Sequence, residues 1–152
     1  MRLTVDTNVL IDFAIERKPF SEASELLMAL GYLGELELWV GTSQISDLIY
    51  VITEGGKVSC ADAAKDMMRK LRSILHIYAT NEEDYDAVAA STWTDLEDAF
   101  VFQTALQTKS DAIITRDAKG FSRSPIRTLN CEELFALLEE QGFAYAFTEL
   151  NA

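Results

Sequence analysis

The feature that most constrains the fold of this chain is an alternation of short apolar segments with amphipathic helical segments. Strand-like segments are predicted at residues 2–6, 36–40, 74–79, 112–115 and 126–129. Between them, apolar residues recur with helical spacing. This alternation is typical of an α/β protein whose parallel sheet is covered by helices on both faces. The order of the strands in that sheet does not follow from the sequence.

Each predicted helix begins after a small polar residue that could cap its free backbone N–H groups. The candidate caps are Thr7 or Asn8, Ser21, Thr42 or Ser43, Ser59, Asn81, Thr94 or Asp95, and Asn130. The breaks between elements fall at Pro19, Gly31, Gly41 and Gly55.

The composition favours a globular domain and argues against membrane-spanning and secreted proteins. Of the 152 residues, 49% are hydrophobic, which predicts one domain with a substantial core. No apolar run approaches the ~20 residues that span a bilayer, and Asp6 interrupts any signal-peptide segment at the amino terminus. Cys60 and Cys131 lack metal-site spacing and indicate a reducing cytoplasm. A lone histidine, His76, argues against a multi-histidine metal site and a Ser-His-Asp triad.

The formal net charge of −12 argues against nucleic-acid binding through a globally basic surface. It leaves room for a nucleic-acid enzyme, because acids grouped around a metal contribute to the same count. The basic residues fall into two groups. One group lies on the helix after Lys57 and is expected to be ordinary solvated charge: Lys65, Arg69, Lys70 and Arg72. The basic residues best placed to hold phosphates follow the strand at 112–115: Arg116, Lys119, Arg123 and Arg127.

Asp6 ends the first predicted strand, at the point where the chain turns into a helix. In open α/β sheets, ligand sites lie outside the carboxyl ends of the strands. Asp6 is therefore a candidate for the floor of a site. The alternative is that its carboxylate only helps to cap the helix.

Asp98 shares a helix face with Val101, Phe102 and Ala105. A carboxylate on an apolar stripe must be paired, protonated or bound to a metal, because burying a bare charge is very costly. The alternative is an acidic capping box in which Asp98 partners Asp95 at the start of the helix. We favour the interpretation in which the Asp98 carboxylate belongs to a functional site.

Two further acids have weaker local signals. Asp117 directly follows the strand at 112–115, where Thr115 could hydrogen-bond it, but an aspartate that starts a turn fits equally well. Asp47 points away from the apolar stripe of its helix and on its own is expected to be solvated. The remaining acids are expected to be caps or solvated residues: Asp12, Glu54, Glu82, Glu83, Asp84, Asp95, Glu97 and Asp111.

Three or four carboxylates brought together repel one another unless a divalent cation neutralises them. With carboxylate ligands and no Cys/His set, Mg²⁺ or Mn²⁺ is the natural cation. Such a metal keeps several waters, generates a hydroxide nucleophile and stabilises the charge on a phosphoryl group.

Four segments of this sequence resemble the PIN domain family in their order and spacing. They are Val5–Leu10, Ser43–Tyr50, Asp95–Ala99 and Ile113–Phe121. The third resembles the D-F/L-E-D-A element of one PIN subgroup, and the fourth resembles the family's I-I-T-R-N/D-x-x-D/G-F strand and loop. Together these segments extend over roughly residues 2 to 130, and their common order makes the resemblance specific.

The resemblance implies a three-layer α/β/α fold with a central parallel sheet. It also implies an Mg²⁺- or Mn²⁺-dependent ribonuclease. The acids that would form its catalytic and metal site are Asp6, Asp47, Asp98 and Asp117. The supporting residues would be Asn8, Thr115 and Ser43. The RNA contacts would come from Arg116, Lys119 and Arg123.

Many small bacterial PIN proteins resemble the toxin half of VapBC-type toxin–antitoxin pairs. The resemblance therefore implies a cytoplasmic endoribonuclease toxin that hydrolyses RNA phosphodiester bonds with a metal-activated water. It further implies a homodimer and inhibition by a small antitoxin.

The sequence departs from the family pattern at two positions. Asp47 stands where the family often has Glu, and Gly120 stands where Asp is common. Together with the acidic net charge, these departures leave open a catalytically weak PIN-like protein-interaction module. A third interpretation, a phosphoaspartyl phosphatase with Asp6 as nucleophile, is disfavoured because Asn8 occupies the place of its second acid.

Residues 142–152 are predicted to be an aromatic tail that follows a nuclease domain at residues 1–141. Phe143, Tyr145 and Phe147 alternate with alanines, and this period of two is typical of a strand. The tail would either fold over the chain's own core or form an edge strand that meets a second subunit or an antitoxin.

Overall fold

The structure is a computed structural model, and it describes residues 1–143. Its elements are β1 (Arg2–Val5), α1 (Thr7–Ala14), α2 (Ser21–Tyr32), β2 (Glu37–Gly41), α3 (Ile45–Ile52), α4 (Ala61–Arg72), β3 (His76–Tyr78), α5 (Glu82–Ala90), α6 (Leu96–Gln107), β4 (Ala112–Ile114), β5 (Arg127–Leu129) and α7 (Cys131–Glu140). Short 3₁₀ turns at 42–44 and 58–60 precede α3 and α4.

Within the described residues, five strands form one parallel sheet in the order β3-β2-β1-β4-β5. The first strand is the central one: Thr4 pairs with Trp39 of β2 on one side and with Ile113 of β4 on the other. The chain adds β2 and β3 on one side of β1, then crosses over to add β4 and β5 on the other. Because the strand order reverses at β1, its carboxyl end opens onto a crevice where α/β folds place ligands.

Side chains of successive residues in the central strands point to opposite faces of the sheet. Val5 and Ile114 belong to the larger apolar core, which also contains residues of α1, α2 and α7. Ile113 belongs to a second core with Val101 and Ala105 of α6. The sheet is therefore covered on both faces, and the predicted three-layer α/β/α architecture is confirmed.

The inner strands of the sheet carry apolar, buried residues, whereas the edge strands carry exposed ones. Residues 112–114 of β4 and residues 3–5 of β1 are fully buried, as expected of inner strands in a parallel sheet. In β3, His76 and Ile77 are exposed at one edge, and in β5, Arg127 is exposed at the other. His76 stacks on Trp39 at a centroid distance of 5.0 Å, which agrees with the structural role predicted for it.

The helix caps are partly as predicted. Asn81, Asp95 and Asn130 accept backbone N–H groups at the starts of α5, α6 and α7. The first helix is capped by Asp6, which is the role that the alternative interpretation gave this residue, and the prediction of Thr7 or Asn8 as the cap was wrong. The third helix has no side-chain cap from Thr42 or Ser43, because a 3₁₀ turn precedes it there.

None of the helices in the described part of the chain is long and apolar enough to cross a bilayer. At the carboxyl end of that part, the N–H of Phe143 donates to the carbonyl of Leu138 at 2.9 Å. Residues 144–152, which make up most of the predicted aromatic tail and its strand, lie outside the described part of the chain.

Candidate active site

A cleft of about 360 Å³ opens at the carboxyl end of β1. Its walls come from the start of α1 and from α3 and α6. The lining residues are Asp6, Thr7, Asn8, Ile11, Arg17, Asp47, Tyr50, Val51, Glu97, Asp98 and Val101. Three of the four predicted catalytic acids therefore share one cleft.

Asp6 is fixed through both of its carboxylate oxygens. The backbone N–H of Thr7 donates to Oδ1 and the hydroxyl of Thr115 donates to Oδ2, each at 2.7 Å. The residue is only 6% exposed. Burial, reinforced by the nearby charges of Asp117 and Asp95, raises the pKa of Asp6 despite these two hydrogen bonds.

Asn8 and Thr115 support Asp6 by joining α1 to the loop after β4. The Asn8 amide donates from Nδ2 to Thr115 Oγ1 at 3.3 Å, and its Oδ1 accepts the N–H of Arg116 at 3.3 Å. Thr115 Oγ1 also accepts the N–H of Asp117 at 2.9 Å. Two of the three predicted supporting residues are therefore placed so that they orient Asp6 and the backbone of Asp117.

The carboxylate of Asp98 is not used in a capping box. Asp95 accepts the N–H of Asp98 at 3.1 Å, but among the described helices the reciprocal side-chain bond occurs at α5 and α7 and not at α6. Burial, together with the charges of Asp95, Asp6 and Asp117, raises the pKa of Asp98 to about 6. The Asp98 carboxylate is thus held near other acids, without a cap to stabilise its charge.

Asp117 meets the cluster through the loop after β4. Its Oδ1 accepts the N–H of Gly120 at 3.2 Å. A Cβ atom at Gly120 would lie 3.2 Å from Asp117 Oδ2 and would overlap Asp98 Oδ2. The loop backbone thus approaches both carboxylates closely, and a side chain at position 120 would have to displace that of Asp98.

Two acids reach the cleft against their local pattern. Asp47 lies on the outer face of α3, and that face lines the cleft. Glu97, which the sequence indicates to be a cap or a solvated residue, lines it as well. The only sequence signal for Glu97 was its place beside Asp98 in the Asp95–Ala99 segment.

Ser43 is not among the residues that line the cleft, and its neighbour Gln44 provides the support that was expected of Ser43. The Ser43 hydroxyl is buried without a hydrogen-bond partner in the described structure. Gln44, 2% exposed, donates from Nε2 to the carbonyl of Val5 at 2.8 Å and to Thr7 Oγ1 at 3.3 Å. Gln44 thereby fixes the end of β1 on which Asp6 stands. Gln44 was not predicted from the sequence because its partners, Val5 and Thr7, lie on other elements, β1 and α1.

Two of the three basic residues predicted to contact RNA, Arg116 and Arg123, are bonded to other parts of the chain. Arg116 is held by Asp12, with Nε–Oδ2 at 2.6 Å and Nη2–Oδ1 at 3.2 Å, and its guanidinium lies 4.2 Å from the centre of the Phe20 ring. Asp12 is only 1% exposed, so the prediction that it is a cap or a solvated residue was wrong. Arg123 donates to the carbonyl of Thr92. Lys119 is exposed.

The donor set fits a hydrated divalent cation. In the described part of the chain, no three acidic, histidine or cysteine side chains converge closely enough to enclose a metal by themselves. Mg²⁺, however, is typically bound by one or two carboxylates and keeps several waters. Burial is the first cause of the raised pKa values of Asp6 and Asp98, and neighbouring carboxylates add negative charge that a cation would neutralise.

Comparison with known proteins identifies a family for most of this chain. A family model described as "PIN domain" matches residues 2–119. No protein of curated function matches the sequence.

Solved structures share the fold at low sequence identity. VapBC-1 from nontypeable Haemophilus influenzae is similar at 18% identity and a TM-score of 0.63, covering 87% of this chain and 99% of that one. VapBC2 from Rickettsia felis, bound to a promoter DNA fragment, is similar at 14% identity and a TM-score of 0.60, covering 86% and 98%. FitAcB from Neisseria gonorrhoeae is similar at 14% identity and a TM-score of 0.57, covering 86% of this chain and 98% of that one.

Proposed function

The chain belongs to the PIN domain family, whose members are generally nucleases, and we propose that it is an Mg²⁺- or Mn²⁺-dependent endoribonuclease. The observation that carries this proposal is the acid cleft at the carboxyl end of β1. Asp6 and Asp98 line it together with Asp47 and Glu97, and the pKa values of both Asp6 and Asp98 are raised. Titratable groups with perturbed pKa values in a cleft are typical of functional sites.

The cation would be held by Asp6 and Asp98, with Asp47 and Asp117 completing its surroundings directly or through water. When bound, it supplies Lewis acidity that activates water and offsets charge on a phosphodiester. The chain's own contribution is orientation. Thr7 and Thr115 fix both oxygens of Asp6, and the Gly120 backbone makes room for Asp98.

We also propose that the protein is the toxin of a toxin–antitoxin pair that acts on RNA in the cytoplasm, is restrained by a small antitoxin and forms a homodimer. The support is the fold shared with VapBC2, VapBC-1 and FitAcB.

The test is cleavage of single-stranded RNA by the purified protein with Mg²⁺, Mn²⁺ or EDTA. The wild type is expected to cleave RNA with either cation and not in EDTA. Asp6→Asn and Asp98→Asn should each abolish cleavage while their circular dichroism spectra match the wild type, because each removes a carboxylate from the cleft.

The matched control is Asp86→Asn, because Asp86 is an exposed acid on α5, away from the cleft. Its cleavage rate should be unchanged. Full activity of a folded Asp6→Asn or Asp98→Asn protein would overturn the site. Absence of cleavage by the wild type with both cations would favour the interaction module.

A further inference from the structure

The cleft contains a solvent-exposed aromatic ring that the acid chemistry does not use. Tyr50 is 65% exposed and lines the cleft one helical turn after Asp47 on α3. Its hydroxyl lies 3.7 Å from the place a Cβ would take at Gly55, whose φ is +87°. The left-handed turn that ends α3 therefore lies against the tip of the tyrosine and leaves most of the side chain open to the cleft.

A basic residue, Arg17, lines the same cleft. Arg17 follows Glu16, a non-glycine residue in the left-handed region with φ 52°, and the Arg17 N–H donates to the Asp12 carbonyl at 3.0 Å. This is the backbone pattern that commonly ends a helix, here α1. The same left-handed conformation follows α3 at Glu54 and α6 at Lys109, and after α1 it leads directly to Arg17.

The Arg17 guanidinium is only loosely held. Its Nη1 lies 3.8 Å from Asp12 Oδ1, beyond hydrogen-bond distance, and the side chain is 43% exposed. The Asp12 carboxylate already accepts two shorter bonds from Arg116, at 2.6 and 3.2 Å. Arg17 can therefore exchange this contact for another anion at small cost.

We propose that Tyr50 and Arg17 form a nucleotide-binding wall, in which Tyr50 stacks on an unpaired base next to the cleaved phosphodiester and Arg17 binds a neighbouring phosphate. This inference rests on the proposed function and adds to it the two side chains that would hold the RNA next to the cleaved bond. Bases are open to stacking on aromatic side chains only where the strand is unpaired.

The chemistry of the other lining residues agrees with this assignment. Ile11 and Val51 add apolar surface beside Tyr50, which favours the flat face of a base. Among the described residues that line the cleft, Arg17 is the only cation. A chain of net charge −12 needs such a local cation to admit a phosphodiester backbone.

The experiment measures both binding and cleavage. A labelled short single-stranded RNA is titrated with protein in EDTA and followed by fluorescence anisotropy, and KM and kcat are measured with Mn²⁺. Tyr50→Ala should raise Kd and KM roughly tenfold, with a smaller change in kcat, and Tyr50→Phe should restore the wild-type values. Arg17→Gln should reduce the slope of log Kd against log salt by about 0.7, the value for one phosphate contact on a single strand.

An abasic scan of the RNA identifies the stacked base. One abasic position should weaken binding to the wild type and have no further effect on Tyr50→Ala. The matched controls are Tyr85→Ala, since Tyr85 is 66% exposed on α5 outside the cleft, and Arg69→Gln, an exposed cation on α4. Both controls should bind RNA as the wild type does.

The outcomes separate this inference from the proposed function. Unchanged Kd and KM in a folded Tyr50→Ala protein that still cleaves RNA would overturn the wall and leave the nuclease intact. RNA binding that depends on Tyr50, in a wild type that never cleaves, would support the wall and overturn the nuclease. A wild type that neither binds single-stranded RNA nor cleaves it with Mn²⁺ would overturn both, and a Tyr50 effect confined to binding of a protein partner would overturn the wall.

Discussion

At the scale of single residues, the cleft holds negative charge that the folded chain tolerates at a cost. The pKa of Asp98 rises to about 6, first through burial and then through the charges of four neighbouring acids, Asp95, Asp6, Asp117 and Glu97. Asp6 is shifted in the same direction, first by burial. Burial therefore makes both carboxyl groups hold their protons more tightly than an exposed aspartate does.

The first prediction at this scale concerns pH. In EDTA, the melting temperature should rise as the pH is lowered from about 7 to about 5. Between the ordinary pKa of 3.8 and the folded value of about 6, the folded protein binds a proton that the unfolded chain does not. The stabilising contribution is complete below the lower value and is lost as the pH rises through the upper one.

Differential scanning calorimetry of the wild type and Asp98→Asn isolates this group. The variant should gain less stability on acidification, by about 1 kcal/mol after allowance for solvent screening. At pH 7 in EDTA it should be at least as stable as the wild type, because asparagine mimics the protonated acid. Equal pH slopes for the two proteins would show that Asp98 is not shifted.

Residue-level sequence reasoning succeeded where the signal is local and failed where the partner is distant. Asp6 and Asp98, which a strand end and an apolar helix face singled out, do lie in the same cleft. Asp12 was missed because its partner Arg116 is 104 positions away along the chain. Arg17 and Tyr50 were missed for the same reason, since the cleft that they line forms only after α1, α3 and α6 pack around β1.

At the scale of elements, Asp12 joins α1 to the loop that carries Asp117. It is 1% exposed and holds Arg116, whose backbone N–H is bound by Asn8. An ion pair of this kind fixes the spacing between two elements. Removing one partner leaves the other charge uncompensated, which is more costly than the net contribution of the pair.

The prediction for this pair is a loss of stability. Asp12→Asn should lower the free energy of unfolding by about 3 kcal/mol, measured by urea denaturation at pH 7. The control is Asp66→Asn, which removes an exposed pair with Arg69 at 2.8 Å and should cost less than about 0.5 kcal/mol. Equal losses in the two variants would mean that Asp12 does not hold the elements together.

The elements themselves were largely predictable, because their ends carry local chemistry. Asn81, Asp95 and Asn130 start helices as their side chains suggest. The start of α3 was not predictable in this way, because Gln44 bonds the Gly41 N–H and the Val5 carbonyl instead of capping its own helix. A residue that serves another strand leaves no periodic signal in its own segment.

At the scale of the whole molecule, the strand order was the missing information. The central place of β1 arises because it pairs with β2 and β4 on its two sides. These pairings depend on how the helices cross over the sheet, and periodicity does not encode that. Once β1 is central, Asp6 lies at the point of strand reversal, and the acids of α3 and α6 meet it there.

The final prediction follows from this concentration of acids in a chain of net charge −12. Millimolar Mg²⁺ or Mn²⁺ should raise the melting temperature, because a ligand that binds only the folded state stabilises it by mass action. At a concentration of 100 times Kd this amounts to about 2.7 kcal/mol, or roughly 5–10 °C for a domain of this size.

Calorimetric scans with and without the cation, at ionic strength matched with NaCl, separate specific binding from general screening. The Asp98→Asn protein should lose most of the shift, whereas Asp86→Asn should keep all of it, since both variants change the net charge equally. A shift of the same size in NaCl alone, or in Asp98→Asn, would show that the cation only screens the acidic surface and that the cleft does not hold it.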